Sequence, residues 1–511
     1  MGWMTAKHSD RAKMFKKPLL IIALSLTGAI AIWGIVDTAG LAAVSSDLVR
    51  VQFTSRAWFI MLTVSFMLIV SIWLALSRFG SIKLGKDEDE PEFSTVSWLT
   101  MLFAAGMGVG LLYFGTAEPL THYLLIEQYQ DPRRSASLAL FVTNFHWGLH
   151  AWAIYALTGL VIAYFSFRLG CPSLVSAPII KVFGSNAVTR SVGWLSDLLA
   201  IVAIAIGLGG SVAMGVFQVE QGVDALFDLQ SSGMGLTLSI FVLLCLSYIL
   251  PLTVDLGRGM ALLSNTAMAI AGGLMIFILL TGPTHFIMGA IVQAIGEYVT
   301  GVWSHGFRTF TFLDERVGNW FQSWTLTYMV WWLAWAPFVG VFIARISKGR
   351  TIREFICGVV LVPTAFSILW FGVFGSVGFY GVLNSEIPIL DVVRENVSGT
   401  TFFVLDHFPL SFLTIGAVVV AAFLFIVTSV VSAAFVLGMF STGGDLNPST
   451  RVKLSWGVVL GALGLVMIFS GSIEAVKSII ALGALPFVFV VLLLVVCLLK
   501  ALAKERPVEH E

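Results

Sequence analysis

Long apolar runs follow one another along all 511 residues, and they decide what this chain can become. A helix crossing the roughly 30 Å hydrocarbon core of a bilayer needs about 20 mostly apolar residues, because it rises about 1.5 Å per residue. Twelve segments meet that length, near 18–36, 56–77, 95–116, 138–166, 193–218, 235–254, 259–281, 322–346, 354–380, 409–440, 454–471 and 476–499. The runs are continuous and lack the alternation of a transmembrane barrel, so a β-barrel is excluded. The expected fold class is an all-α membrane protein with 12 transmembrane helices. Residues are 58% hydrophobic and only 11% charged, against about 25% charged in soluble domains. That excludes an ordinary soluble enzyme, a disordered chain and a nucleic-acid binder. Basic and acidic residues balance at 29 each, so no global charge points to a partner. Cys171, Cys245, Cys357 and Cys497 lie far apart, with no metal-ligand or redox spacing.

Charge placement tests the twelve-span expectation. With the N-terminus inside, 21 Lys and Arg fall on the cytoplasmic side and eight on the outer side, the bias a correct topology gives. All of them fall in expected loops or at helix ends, Arg50, Arg56 and Lys477 among the outer ones. Both termini are therefore expected in the cytoplasm, with the chain in the cell (inner) membrane. The segment 18–36 follows Lys13, Lys16 and Lys17 as a signal peptide would, but it is too long for one and is read as retained. The segment 284–306 is amphipathic and carries Glu297 and His305. It reads as an outer helix lying in the interface, at a subunit contact. A thirteenth span would instead put the termini on opposite sides. The tails at 1–17 and 500–511 are short, and no soluble domain is expected.

The membrane pattern is broken in two places, and a break in lipid is tolerated only where it lines a cavity or protein. Gly106, Gly108 and Gly110 alternate in the third segment, and Thr428-Ser429 interrupts the apolar tenth. Glycines at that spacing make no single small face; they loosen the helix and free amides for a carboxylate and carbonyls for a cation. Close helix packing is the other reading of the same glycines. Aromatic residues concentrate in the fourth segment (Trp147, Trp152, Tyr155) and the eighth (Trp331, Trp332, Trp335, beside Pro337). Such faces attract quaternary ammonium groups, which lack N–H donors, by cation–π contact worth about 0.5–2 kcal/mol each. Interfacial anchoring or packing is the alternative for any single Trp. His146 and His150 share a helical face, yet no matching carboxylate or cysteine set stands out, so they read as packing or hydrogen-bonded residues. No HExxH, Walker A or nucleophile elbow occurs. No Asp or Glu is central in an expected span, so a carboxylate proton relay has no candidate.

These residues resemble the betaine/carnitine/choline transporter family. The resemblance is carried by GMGVGLLYFGTAEPLTHY (106–123), FHWGLHAWAIYAL (145–157) and WWLAWAPFVGVFIARISKGRTIREF (331–355). It implies a LeuT-like fold of two inverted five-helix repeats, 93–283 and 321–499, after two extra helices in 18–92. The outer helix and loop fall in 284–320. It also implies a homotrimer and alternating access. By resemblance the aromatic box falls on Trp147, Trp152, Tyr155 and Trp332, with Trp331 and Trp335 beside it. The backbone of Met107, Gly108 and Gly110 would face a substrate carboxylate. Proton-coupled choline importers of the family can carry Asp at the position of Gly110; Gly favours a zwitterion and sodium.

The family's sodium site maps onto Ala104, Met107 and Phe425 through backbone oxygens, and Thr428 and Ser429 through hydroxyls. Hard oxygen ligands suit such a cation. No arginine lies between Arg190 and Arg258 to replace the ion, as in sodium-independent exchangers. A second family site uses two threonines where Ile204 and Leu208 stand here, and Val431 stands where the family usually has Asp. The short C-terminal tail lacks the basic extension used for osmosensing, which points to nutrient uptake. The expected function is Na⁺ symport of a small methylated onium solute such as glycine betaine, with no cofactor beyond the coupling ion. The alternatives are an ion-independent exchanger, proton-coupled choline uptake, a channel, and a membrane enzyme built on His146 and His150.

Overall fold

A computed structural model describes residues 16–106, 108–229, 233–253, 257–384 and 387–505. No strand occurs among them; the sole β-type pairing is an isolated bridge between Lys83 and Thr351. The chain begins with α1 (Lys16–Val36) and α2 (Thr38–Leu76), separated by Asp37, whose carboxylate accepts from the Gly40 amide at 2.9 Å. The expected second span, 56–77, is thus the back half of a 39-residue helix, about 58 Å long at 1.5 Å per residue. Arg50 and Arg56, expected in a loop or at a helix end, lie within it, exposed and bonded to Asp47 and Gln52 one turn before them.

The third expected span is two helices, α3 (Thr95–Gly106) and α4 (Val109–Ile126). The fourth is also two, α5 (Pro132–Trp147) and α6 (Leu149–Ala163), with a π-turn at Tyr164–Arg168. A short α7 (Ser176–Phe183) leads to α8 (Ala187–Phe227), opened by a capping box between Asn186 and Thr189. Then come α9 (Met234–Thr253), α10 (Gly257–Thr281) and α11 (Thr284–His305). The second half runs through α12 (Glu315–Phe321), a π-turn at Gln322–Leu326, α13 (Thr327–Ile346) and α14 (Ile352–Asn384). It continues through α15 (Ile389–Glu395), α16 (Thr400–Asp406) and α17 (Ser411–Ser441). It ends with α18 (Thr450–Phe469), α19 (Ile473–Ala484) and α20 (Phe487–Leu502).

Eleven described helical stretches are long and apolar enough to cross a membrane, with α5–α6 and α12–α13 counted as one each, or twelve if α19 and α20, bent by 44°, form one span; α3–α4, the expected third span, is not among them. The expected interfacial helix, α11, is among the eleven. It turns Ile287, Ile291, Ala294 and Tyr298 inward and Met288, Val292, Val299 and Trp303 outward, so both faces are apolar. Burial separates the centre from the rim. The most apolar windows of α5–α6 and α8 are 94% buried, those of α1 and α10 only 28% and 22%. Small residues let the central helices approach: a Cβ on Gly159 of α6 would lie 3.2 Å from the Gly340 carbonyl of α13. The tenth span, α17, is continuous through Thr428 and Ser429. No break occurs there, because the Thr428 hydroxyl bonds back to the Phe425 carbonyl at 3.0 Å and leaves the helix intact.

Candidate functional site

Two helix interruptions face the centre of the molecule. The first lies between α3 and α4. Gly108 is extended there (φ −116°, ψ −153°) and caps α4 without a side chain. Met107, one of the expected backbone ligands, lies outside the described residues. The second interruption, at Gly148, was not anticipated. Its backbone (φ −106°, ψ −141°) separates α5 from α6. The freed amide of Leu149 donates to Tyr298 Oη at 2.7 Å, and the His146 carbonyl accepts from the Trp332 indole at 2.8 Å. Gly148 is required by this approach, since a Cβ there would overlap Tyr298 Oη and sit 2.5 Å from the Asn144 carbonyl.

A cavity of about 50 Å³ lies against the first interruption and against Trp147, the residue before the second. Gly108, Gly110, Trp147, Trp331, Trp332 and Trp335 line it, as do Phe114, Tyr328 and Ser429. A water needs about 10–15 Å³ by the same measure, so the space suits a compact ligand. Trp147 and Trp332 meet edge to face at 5.1 Å and 77°. Trp152 and Tyr155 stand one layer back: Tyr155 is edge-on to Trp332 at 5.7 Å, and Trp152 to Tyr155 at 5.5 Å. The only hydroxyl oxygens on the wall come from Ser211, Ser429 and Tyr328 among the described residues. Gly110 is a close-approach glycine, because a Cβ there would lie 2.9 Å from Trp147 Cη2.

Of the remaining expected cation ligands, Ala104 is in the last turn of α3. The last four carbonyls of a helix have no partner within it. Phe425 and Thr428 are buried on α17, and Ser429 looks across at the interruption, its Oγ 4.0 Å from where a Gly108 Cβ would be. Ile204 is fully buried, and Leu208 lines the cavity.

Behind the cavity lies a polar cluster. Glu118, His122 and His146 are fully buried. Glu118 Oε1 accepts from His146 Nδ1 at 2.8 Å and His122 Nε2 at 3.2 Å. Its Oε2 accepts from the Trp147 indole at 2.8 Å and the Tyr328 hydroxyl at 2.6 Å. One expectation is corrected here: a carboxylate that matches His146 is present in the buried interior, and Glu118 is shared by His146 and His122. His146 is a hydrogen-bonded histidine, as expected. His150 faces Ser65 at 3.3 Å. The three ligand-type atoms lie within 4.8 Å of one another, close enough for a metal ion; they are already matched as donors and acceptor. Lys477, expected at a helix end, is buried in α19 with its ammonium 3.4 Å from the centre of the Trp324 ring.

Comparison with known proteins agrees with this architecture. The model of the betaine/carnitine/choline family transporters matches residues 18–507. The chain belongs to that family. It is 38% identical to the glycine betaine transporter OpuD of Bacillus subtilis over 95% of this chain and 94% of the relative. It is 32% identical to the ectoine/hydroxyectoine transporter of Virgibacillus pantothenticus, over 92% and 93%. It is 33% identical to the high-affinity choline transport protein of Escherichia coli, over 88% and 66%. This betaine/carnitine/choline family transporter is therefore a multi-pass membrane protein and not an enzyme.

Sequence reasoning missed Phe114, Glu118 and Tyr328 in the transporter's centre. A signal existed. Gly110, Phe114, Glu118 and His122 recur every four residues, one face of one helix. Tyr328 likewise precedes Trp332 by four.

Proposed function

We propose that this transporter imports a small methylated onium solute of the glycine betaine type by Na⁺ symport through alternating access. The observation that carries the reading is the compact cavity walled by Trp147, Trp331, Trp332, Trp335, Phe114 and Tyr328 beside an interrupted helix. A permanently charged head group without N–H donors gains from aromatic faces what it loses in hydration. The extended backbone at Gly108 offers amides to a carboxylate at the start of α4. Trp152 and Tyr155 complete the box from behind Trp332. Relatives named for glycine betaine, ectoine and choline transport support the substrate class.

One Na⁺ binds between the α3 end and α17, held by the Ala104, Met107 and Phe425 carbonyls and the Thr428 and Ser429 hydroxyls. Ion and solute then brace the same interruption, so each favours the other. Apolar Ile204 and Leu208 leave no second site of the threonine type. The two halves, 93–283 and 321–499, are inverted repeats of a LeuT-like fold. In support, the interrupted α3–α4 and the π-turn that leads into α13 each open a half, and α4 and α13 meet at the cavity. Both termini are cytoplasmic, and α11 contributes to a homotrimer contact through its outward apolar row.

Uptake of radiolabelled glycine betaine into proteoliposomes tests the reading. An inward Na⁺ gradient should drive accumulation, K⁺ should not replace it, and Trp147→Ala or Trp332→Ala should abolish it in folded protein. Full accumulation without Na⁺ at every pH tried refutes symport. Unchanged uptake in both variants refutes the box.

A further inference from the structure

Glu118 is the unexpected charge in the molecule's centre. Its four acceptor positions are filled by four donors: His122 and His146 on one oxygen, Trp147 and Tyr328 on the other. An ionised carboxylate accepts about that many hydrogen bonds and donates none. The protonation pattern follows from the partners. The Trp320 indole can only donate, and it donates to His122 Nδ1 at 3.0 Å. The proton of neutral His122 is therefore on Nε2, directed at Glu118. His146 directs Nδ1 at Glu118, and its Nε2 meets the Thr325 hydroxyl at 2.9 Å, which can donate to it. Glu118 is thus the common acceptor of the cluster, and His122 faces it as an Nε2–H donor. Among the described residues no lysine or arginine comes within 4.0 Å of that carboxylate. The cation on that side, Lys477, lies over the Trp324 ring instead.

Two of the four donors are cavity walls, Trp147 and Tyr328. We infer that Glu118 is the electrostatic anchor and positioning residue of the onium pocket: its carboxylate, one ring away from the ligand, fixes Trp147 and Tyr328 and makes their faces more attractive to a cation. The inference rests on the onium reading above. Donation of N–H and O–H to an anion pushes electron density into both rings, which strengthens the quadrupole a cation feels. The carboxylate adds direct attraction through a medium poor in water, against which stands the buried Lys477 ammonium, 5.9 Å from the Phe114 ring of the cavity wall. For a unit charge at roughly 8 Å and an effective dielectric near 20, the effect on affinity is on the order of tenfold to thirtyfold.

The test separates charge from architecture. Purified wild type and Glu118→Gln are titrated with glycine betaine and choline, and with 3,3-dimethylbutan-1-ol, the neutral carbon isostere of choline, read by competition. Glu118→Gln should weaken both onium ligands tenfold or more and leave the neutral isostere within twofold. Onium affinity retained in the variant overturns the inference. So does an equal loss for charged and neutral ligands, which would make Glu118 merely structural. If the variant does not fold, Tyr328→Phe decides, since it keeps the charge but removes one donor: a loss of a few-fold confined to onium ligands is expected, and no difference between the ligand types overturns the inference. Wild type that binds neither onium ligand overturns the functional reading itself, a distinct result.

Discussion

Gly110→Ala should cripple ligand binding in a transporter that still assembles. The added Cβ would lie 2.9 Å from Trp147 Cη2, where carbon atoms rest at about 3.5–4.0 Å. The indole must therefore retreat by most of an ångström. It has little room to do so. Its N–H is held by Glu118 at 2.8 Å, and its faces and edges meet Trp332, Phe371 and Tyr328 at centroid distances of 5.1, 5.4 and 5.8 Å. If the ring stays, the overpacking costs about 1–3 kcal/mol. If it swings, the bond to a charged acceptor is lost, worth about 1.5–3 kcal/mol. Either route reshapes the cavity wall, so glycine betaine affinity should fall roughly 5–150-fold, at about 1.4 kcal/mol per tenfold. Calorimetric titration measures it. Gly416→Ala in α17 is the matched control, because nothing lies within 4 Å of its Cβ position. Gly110→Ala binding within twofold of that control would refute the reasoning.

Gly148→Ala should destabilise the fold by about 2–4 kcal/mol, from a lost Tyr298–Leu149 hydrogen bond and steric overlap, while Gly289→Ala, with open space around it, should not; equal melting temperatures would contradict this. Thr428→Val should raise the Na⁺ concentration needed for half-maximal betaine uptake at least tenfold and spare the maximal rate at saturating Na⁺; an unchanged Na⁺ dependence would remove Thr428 from the ion's ligands. At the end of the described chain, Glu505 bonds Arg168 at 2.7 Å and Tyr164 at 2.8 Å, and Arg168 also bonds Asp87 at 2.8 Å. Burial alone would raise the Glu505 carboxyl, but Arg168 and Tyr164 outweigh it and hold it below its ordinary value. A depressed carboxyl stabilises the folded form above the ordinary glutamate range and loses that contribution as pH falls through the lowered value. Amide protection near residues 500–505, taken relative to the intrinsic exchange rate at each pH, should therefore fall on acidification below that range, and Arg168→Ala should bring the lower protection to neutral pH; unchanged protection in both would refute it.

What the sequence reveals and conceals follows from the range of the forces involved. Span number and the weakness at 106–110 are local properties: about twenty apolar residues satisfy their own backbone, and alternate glycines fail to. Trp147, Trp331, Trp332 and Trp335 reach the cavity wall because their helices carry them there, and their density in two segments was visible at once. The Gly148 interruption is different in kind. One glycine in an aromatic run reads as a packing residue until Tyr298, 150 positions on, fills the space its Cβ would need and takes the freed Leu149 amide. Thr428-Ser429 misled in the opposite direction. Two hydroxyls in an apolar run look like a break, but a threonine can return its hydrogen bond to its own helix and leave the ladder whole.

Glu118 was hidden for a third reason. Charge near the end of an apolar run normally marks the approach to water, and counting from Thr95 places residue 118 just past the expected span. The interruption changes that count. The segment from Thr95 to Ile126 is longer than one span because it is two helices, and the second carries Glu118 into the interior at the depth of Trp147 and Tyr328. Burying a carboxylate is severe without partners and tolerable with four. The donors come from α4, α5 and α13, so the acid, the two histidines and the two cavity rings are joined across all three. The glycines that interrupt the helix and the acid that stiffens its continuation are therefore parts of one arrangement. The first makes room for a ligand's backbone contacts, and the second holds the rings that face it.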